Sequence, residues 1–189
     1  MKKILSPKFF QKPAPAVARN LLGKVIVRKF GNKIFRVVIT ETEAYLGSRD
    51  LASHARFGKT KRNLAMFGDG GHWYVYLVYG MHWMLNVVTE EDGSPSAVLI
   101  RSGIIIGSKP AAINGPAKIA KRLRISGSFT GKLASKNSGL WVEDWGIKIG
   151  TIKKSPRIGV DYAGPWSKKL LRFTSQISVI QFNPYGKKN

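Results

Sequence analysis

The pattern of apolar and polar positions is clearest in residues 72–86, where two runs of aromatic and β-branched residues flank Tyr79 and Gly80. Residues of these types favour a pleated strand, and a glycine between two such runs indicates a tight turn. The segment holds three tyrosines, two tryptophans and two of the chain's three histidines. It therefore predicts a β-hairpin with an aromatic side chain at its exposed tip.

The length of the loop decides which side chains share a face of this hairpin. A three-residue loop, Val78-Tyr79-Gly80, pairs Tyr76 with His82 and gives one fully apolar face and one polar-aromatic face. The polar-aromatic face then carries both Tyr76 and Asn86, whereas a two-residue loop puts them on opposite faces. We prefer the three-residue loop because it yields a uniform core face. An ordinary core hairpin is the alternative, since aromatic strands more often line a core than a binding surface.

The rest of the chain predicts short strands with a few helices between them. Residues 24–29 and 34–42 alternate as two strands around a Gly31-Asn32 turn. Proline near the start and glycine past the end predict helices over residues 16–22 and 116–125. Such a mixture of elements is typical of an α+β fold.

The remaining segments are less regular. Ser48 is placed to cap a short helix over residues 49–54. Residues 170–179 form the best strand of the C-terminal third. Residues 1–13 are expected to form an irregular arm, and residues 184–189 a frayed end.

No linker, internal repeat or low-complexity segment divides the chain. We therefore expect a single domain over residues 1–189. Its predicted architecture is α+β, with a curved antiparallel sheet resembling an open barrel, short flanking helices and a protruding aromatic hairpin.

The charge of the chain is strongly one-sided, with 32 lysine and arginine residues against 10 aspartate and glutamate residues, a net of +22. Between Gly93 and Val142 there is no acidic residue, while eight are lysine or arginine. Such a charge implies a polyanionic partner. Nucleic acid fits better than an anionic membrane because no long basic amphipathic helix is evident in the sequence.

Cysteine, histidine and apolar residues indicate which kinds of site and which locations the sequence does not favour. The absence of cysteine excludes disulfides and cysteine-ligated zinc, and three histidines without a His-x-x-x-His spacing make a poor metal site. We therefore expect no metal. No apolar run has the length of a signal peptide or a membrane span. The expectation is a soluble, intracellular protein without a membrane partner, in the cytoplasm or nucleoid of a bacterium or the nucleus of a eukaryote.

Two carboxylates stand close to a basic segment, residues 49–62, which holds five lysines and arginines. They are Glu41 and Glu43. A carboxylate beside a phosphate-binding surface weakens binding, so its presence there indicates a chemical role. On an extended chain Glu43 and Tyr45 point to the same side, and His54 follows nine residues later. Together with the polar-aromatic face of the hairpin, these residues would line a pocket that suits a nucleobase. The pocket would also contain a carboxylate able to activate water as a general base. Taken singly, Glu41 and Glu43 are better interpreted as polar residues on a solvated strand face, and His54 as a helix-end histidine favoured by the helix dipole.

Several short motifs resemble those of the alkyladenine (3-methyladenine) DNA glycosylase family. The motifs are Thr42-Glu43-Ala44-Tyr45, His54, Tyr74-Val75-Tyr76, Tyr79-Gly80-Met81, Asn86, Arg101 after a Val-Leu-Ile strand, Asn114-Gly115-Pro116-Ala117-Lys118 and Arg157-Ile158-Gly159. They span about residues 15–175. No single motif is specific alone, but their order and spacing together are.

The resemblance implies a role for each matching residue in the pocket. Glu43 would be the general base that activates water, and Arg101 would help to hold that water. Asn86 would crowd the exocyclic amine of guanine and so discriminate against normal purines. Three residues would stack around a flipped base: Tyr45, His54 and Tyr76.

The resemblance also implies contacts with the duplex. Tyr79 would be a wedge that intercalates into the gap left by the flipped base, with Met81 and His82 flanking it in the minor groove. The basic segment and the helix at Pro116 would contact the DNA backbone. The candidate phosphate contacts are Arg49, Arg56, Arg62, Lys118 and Arg122. The alternative for each of these cations is a solvated surface position, and for any single lysine that alternative is preferred.

The function implied is that of a monofunctional DNA glycosylase, a hydrolase of N-glycosyl bonds that starts base excision repair of alkylation damage. Its partner would be double-stranded DNA with a damaged purine, and 3-methyladenine, 7-methylguanine, hypoxanthine and ethenoadenine all remain open as substrates. The resemblance implies no cofactor and no lysine Schiff base, and we expect a monomer. The alternative is a non-catalytic basic nucleic-acid-binding protein, which has no use for Glu43 beside an aromatic pocket.

Overall fold

The computed structural model describes residues 2–177, which contain one large antiparallel sheet. Its ten strands are β1 (Lys3–Ile4), β2 (Val25–Phe30), β3 (Lys33–Tyr45), β4 (Trp73–Val78), β5 (His82–Thr89), β6 (Ser96–Ile105), β7 (Ala111–Asn114), β8 (Leu140–Asp144), β9 (Ile152–Ser155) and β10 (Arg172–Ser175). Along the sheet the order is β1-β8-β2-β3-β6-β5-β4, with β7 paired to β6, β10 to β3 and β9 to β10. The sheet is not closed, and the α+β prediction is confirmed.

Within residues 2–177, three short α-helices and five 3₁₀ segments accompany the sheet. The helices are α1 (Pro7–Phe10), α2 (Ala14–Leu21) and α3 (Pro116–Arg122), and the 3₁₀ segments are Gly47–Arg49, His54–Phe57, Leu64–Phe67, Gly127–Phe129 and Asp161–Lys168. In α2, Ala14, Val17, Ala18 and Leu21 are all fully buried, at the i, i+3, i+4, i+7 spacing of a core-facing helix. Gly23 follows with a φ of 79°, so the glycine stop predicted for this helix is confirmed.

The long strand β3 divides the sheet into two parts. Its first half, residues 33–38, pairs with β2, whereas residues 41–43 pair with β10 along the same edge. The register against β6 is irregular around Glu41, as expected for a bulge that re-aims side chains. On β6, a Cβ at Gly103 would lie 2.5 Å from the Val38 carbonyl oxygen, so only glycine fits this close approach.

The hairpin of β4 and β5 has the predicted faces but a different register. Val78 pairs with His82 and Tyr76 with Met84, so the predicted Tyr76–His82 pairing is wrong by two residues. The reason is the turn, in which Tyr79 and Gly80 both have positive φ and the Met81 N–H donates to the Val78 carbonyl at 3.1 Å. Met81 then adds a third loop residue. Because the loop is still odd in length, the grouping of side chains by face is preserved.

Other predictions need correction in detail. Residues 3–10 are not an irregular arm, because β1 pairs with β8 and Phe10 is buried in the core. No helix spans residues 49–54. Instead the Ser53 hydroxyl accepts the Ala55 N–H at 3.2 Å and starts the second 3₁₀ segment. The strand predicted over residues 170–179 is β10. The last two of those residues, and the predicted frayed end at 184–189, lie outside the described residues.

The helix predicted over residues 116–125 is present but shorter. It ends at Arg122, and Arg124 has a positive φ of 52°. In residues 2–177 no helix has the length and apolarity needed to cross a membrane.

Candidate active site

A cavity of about 590 Å³ opens beside the β4–β5 hairpin. Besides the hairpin, its lining comes from β6, from residues 45–66, from Pro116 at the start of α3 and from residues 158–162. The lining includes Tyr45, His54, Tyr74, Tyr76, Asn86 and Arg101. A cavity of this volume, with aromatic walls and a few polar groups, suits a small planar organic group.

Strand register explains how residues far apart in the sequence reach this cavity. Asn86 of β5 lies opposite Tyr74 of β4 on one side and Leu99 of β6 on the other. Leu99 in turn lies opposite Glu43 of β3, which faces Arg172 of β10. Residues in register on neighbouring strands point to the same face of a sheet. One row across five strands therefore brings a phenol, an amide and a carboxylate to the same face.

Glu43 is fully buried directly behind the cavity wall. The Tyr45 hydroxyl donates to its Oε2 at 2.9 Å, and the Ile158 N–H donates to its Oε1 at 2.9 Å. Arg101 Nη1 lies 3.3 Å from the same Oε1. All three contacting residues line the cavity, although Glu43 itself does not. These three residues therefore lie between the Glu43 carboxylate and the cavity.

The pKa of Glu43 is raised above its usual value. Burial is the dominant cause, and it outweighs the opposing effects of the Arg101 charge, the Ile158 N–H, the Tyr45 hydroxyl and the Arg157 charge. A carboxyl whose pKa moves towards neutrality becomes a stronger base once it is ionised. A raised pKa is one property that a general base requires.

The aromatic wall is a connected cluster. His54 Nδ1 and the Tyr74 hydroxyl are hydrogen-bonded at 2.8 Å, and the His54 and Tyr76 rings pack edge-on with centroids 4.5 Å apart. Burial, followed by the charges of Arg62 and Arg56, lowers the pKa of His54 to about 4. The imidazole is therefore neutral at pH 7. Burial also raises the pKa of Tyr74 to about 12, so its hydroxyl stays protonated.

Asn86 is held in one orientation at the cavity wall. Its Nδ2 donates to the Tyr74 carbonyl at 3.1 Å and to the Met84 carbonyl at 3.3 Å. It is buried on β5, on the same side of the hairpin as Tyr76, since both line the cavity. The prediction that these two residues share a face is confirmed.

A buried ion pair supports the wall opposite the hairpin. Arg157 donates from Nη1 to Asp50 Oδ2 at 2.5 Å and from Nη2 to Oδ1 at 2.8 Å, and neither side chain is exposed. The guanidinium carbon also lies 4.6 Å from the centre of the Tyr45 ring. This pair fixes the backbone on which the next residue, Ile158, presents its N–H to Glu43.

The tip of the hairpin stands out into solvent at the mouth of the cavity. Tyr79 is 88% exposed and Met81 is 68% exposed. Tyr79 and Gly80 contribute to the lining of the cavity, whereas Met81 and His82 do not. The turn places Met81 in the loop, outside both strands of the hairpin.

The predicted phosphate-binding cations fall into two groups. Arg62 lines the cavity and donates from Nη2 to the Leu77 carbonyl at 2.9 Å, which ties residues 58–63 to the hairpin. The others are not part of the lining. Arg56 is half-buried with its guanidinium 5.0 Å from the Tyr162 ring centre. Fully on the surface are Arg49, Lys118 and Arg122.

Several residues of the site were not identified from the sequence. Tyr74 had a signal, because it alternates with Tyr76 on the same face of the hairpin. Arg157 and Ile158 belong to a motif that carried the resemblance, but nothing in the sequence assigned them a role. Arg172 had no signal at all, since only strand register brings it opposite Glu43. Among residues 2–177, no group of three or more His, Cys, Asp or Glu side chains is arranged to hold a metal ion.

The chain is similar to known proteins over most of its length. Residues 8–178 match the family described as Methylpurine-DNA glycosylase (MPG). A protein of Legionella pneumophila (strain Lens) is 43% identical over 187 residues, which cover 98% of each chain, and carries the name "Putative 3-methyladenine DNA glycosylase". A "DNA-3-methyladenine glycosylase" of Arabidopsis thaliana is 40% identical over 176 residues, covering 86% of this chain and 67% of its own.

The aromatic cavity backed by a buried carboxylate has the character of an enzyme active site. The chain belongs to the methylpurine-DNA glycosylase family of DNA repair enzymes, which hydrolyse N-glycosyl bonds and act on alkylation damage. Its substrate is therefore DNA. The family resemblance predicted from the sequence is confirmed, and the alternative of a non-catalytic nucleic-acid-binding protein is removed.

Proposed function

We propose that the protein flips a damaged purine out of duplex DNA into the 590 Å³ cavity and hydrolyses its N-glycosidic bond with a water activated by Glu43. The observation that carries the proposal is the position of Glu43, buried behind the cavity wall with a raised pKa and three contacts to lining residues. The product would be an abasic site, which starts base excision repair.

The chemistry follows from the charge that develops during bond cleavage. As the bond between the sugar and the base breaks, the sugar acquires oxocarbenium character, which a nearby carboxylate stabilises. Glu43 would take a proton from the attacking water. Arg101, which reaches Glu43 from the cavity side, would hold that water in place. Water must first gain access to the carboxylate, and the exposed Ile158 segment is the side on which it would enter.

The cavity suits an alkylated purine for two reasons. Tyr45, His54 and Tyr76 would stack around the base, and a base alkylated on a ring nitrogen is cationic, which strengthens its contact with aromatic rings. Such a base is also a good leaving group without further protonation. A neutral lesion such as hypoxanthine needs an acid, and His54 does not serve as one in its imidazolium form, since its pKa is about 4.

Discrimination against normal purines would depend on Asn86. Its side chain is fixed by two backbone carbonyls and does not rotate away without losing both hydrogen bonds. The exocyclic amine of guanine would therefore meet a rigid obstacle. A fixed polar side chain rejects the wrong ligand more strongly than a flexible one, because moving it aside would break its two backbone hydrogen bonds.

The hairpin tip would hold the duplex open. Flipping a nucleotide costs a few kcal/mol of unstacking. Tyr79, exposed at the mouth of the cavity, would insert into the vacated stack and offset part of that cost, with Met81 and His82 beside it in the minor groove. Phosphate contacts would come from Arg49, Arg56, Arg62, Lys118 and Arg122, so binding should weaken steeply with salt.

The proposal is tested with a set of duplexes that each carry one defined lesion, 7-methylguanine, hypoxanthine or ethenoadenine, beside an undamaged duplex of the same sequence. Strands are scored for abasic sites by cleavage with and without an abasic-site endonuclease. We expect base release from at least one lesion and strand cleavage only when the endonuclease is added. Release from none of the lesions, or from the undamaged duplex at the same rate, would contradict the proposal. Strand cleavage without the endonuclease would instead reveal a lyase.

A further inference from the structure

Arg101 lies between two carboxylates rather than beside one. Its Nη1 is 3.3 Å from Glu43 Oε1, and its Nε is 3.3 Å from Glu41 Oε1. An unrestrained arginine side chain samples many rotamers, and each orientation it must hold has an entropic cost. With the two nitrogens engaged at separate carboxylates, the plane and direction of the guanidinium are both defined.

Glu41 is itself held from two further sides. The Ser102 hydroxyl donates to Glu41 Oε2 at 2.5 Å, and Arg172 Nη1 donates to Oε1 at 3.0 Å. Arg172 also donates from Nε to the Pro156 carbonyl at 2.9 Å, which anchors it to the start of the segment that carries Ile158. The contacts therefore form a continuous chain from Arg172 through Glu41 and Arg101 to Glu43.

The two carboxyl groups that share Arg101 differ in electrostatic character. Burial alone would raise the pKa of Glu41, but the hydrogen bonds from Ser102 and Arg172 and the charges of the two arginines bring it below its usual value. The pKa of Glu43 is raised instead. Neighbouring carboxyls with pKa values pushed apart carry different roles. Glu41 stays ionised as a fixed anchor, while Glu43 is the group able to exchange a proton.

Glu41 has fewer contacts with the cavity wall than Glu43 has. Of its three partners only Arg101 lines the cavity, whereas all three contacts of Glu43 do. We propose that Glu41 is a positioning residue, which acts through Arg101 by holding its guanidinium against Glu43 and the attacking water. Arg172 and Ser102 hold Glu41 in turn. The inference rests on the proposed role of Glu43 and Arg101, and it assigns a function to two charged residues outside the cavity.

The test is a double-mutant cycle between Glu41 and Arg101, with single-turnover base release and lesion-duplex affinity measured separately. Glu41→Gln keeps the size of the side chain and removes its charge. We expect the release rate to fall by about tenfold or more while the Kd changes by less than about twofold, since the loss lies in the chemical step. In an Arg101→Gln background, Glu41→Gln should have no further effect, because the residue through which it acts is already gone.

Two further variants keep the test decisive. Glu91→Gln removes a carboxylate of the same type from the exposed surface and controls for the change in net charge. Arg172→Gln, a change at a partly exposed side chain, should lower the release rate in the same Arg101-dependent way, and it replaces Glu41→Gln if that variant fails to fold. A Glu41→Gln rate equal to that of Glu91→Gln, or an undiminished effect in the Arg101→Gln background, would overturn the inference. An inactive wild-type protein would overturn the proposed function and this inference with it.

Discussion

The Tyr45 hydroxyl donates a hydrogen bond of 2.9 Å to Glu43, two residues earlier on the same strand. The contact joins the aromatic wall of the cavity to the buried carboxylate behind it. It is possible because alternate residues of a strand point to the same side. A local feature of the sequence thus builds the centre of the site, and it determines how the candidate base responds to pH and to mutation.

Replacement of the carboxylate should separate binding from chemistry. Glu43→Gln keeps the shape of the side chain but removes the base, so we expect lesion-duplex affinity to remain near that of the wild type. Base release should fall by about a thousandfold or more, in line with the loss of a general base and its charge. Gel-shift and single-turnover assays check the two parts. A variant that releases base at a near wild-type rate would rule out the mechanism.

The pH dependence of base release should report on Glu43. Its carboxyl must be ionised to act, so the rate should fall as pH decreases through a pKa that lies above the usual glutamate range. Tyr45→Phe removes a hydrogen bond that lowers this pKa. The acidic limb of the pH–rate profile of Tyr45→Phe should therefore lie at higher pH than that of the wild type. Single-turnover rates between about pH 4 and 9 give both profiles, and a shift of the Tyr45→Phe limb to lower pH would contradict this account.

Removal of the exposed tyrosine should matter most on duplex DNA. In Tyr79→Ser no aromatic side chain fills the gap left by the flipped nucleotide. The rate of base release from duplex DNA should therefore drop by about tenfold. Release of the same lesion from a single strand should change much less, because no stack has to be opened. Phe57→Ser, a change at another exposed aromatic outside the cavity lining, is the matched control. Equal losses on both substrates would remove Tyr79 from this role.

The amide on β5 should control selectivity. Asn86→Ser shortens the side chain and removes the obstacle to the guanine amine, so release of guanine-derived bases relative to hypoxanthine should rise by about tenfold. Differences of about 1–3 kcal/mol are typical of such a contact. Asn20→Ser, on the exposed side of α2, serves as the control. An unchanged ratio of release rates between guanine-derived bases and hypoxanthine would show that Asn86 does not control selectivity.

The buried pair behind Tyr45 should be important for stability. Asp50→Asn leaves the Arg157 guanidinium buried without its carboxylate, and breaking such a pair costs about 3–5 kcal/mol. Urea unfolding measures the change, with Asp92→Asn on the exposed turn before β6 as the control. The Ile158 N–H that contacts Glu43 depends on the same segment, so base release should fall as well. A loss of stability similar to that of the control would show that the pair is not structurally important.

Much of the fold could be predicted from the sequence because its signals are local. The alternation around Gly31-Asn32 predicted β2 and β3, and proline with glycine predicted α2 and α3. The odd hairpin loop predicted that Tyr76 and Asn86 share a face. The pairing itself was missed by two residues, since the positive φ of Tyr79 has no sequence signal in a bulky residue.

The sequence by itself determined the residue types of the site and their order: a carboxylate, aromatic side chains and an amide at spacings typical of one family. The tertiary structure decided which of them meet. Strand register set Arg172 opposite Glu43, and tertiary packing brought Arg101 into contact with two carboxylates. Burial then raised the pKa of Glu43 and lowered that of His54. Register and burial depend on the packing of the whole chain, and no local pattern encodes them.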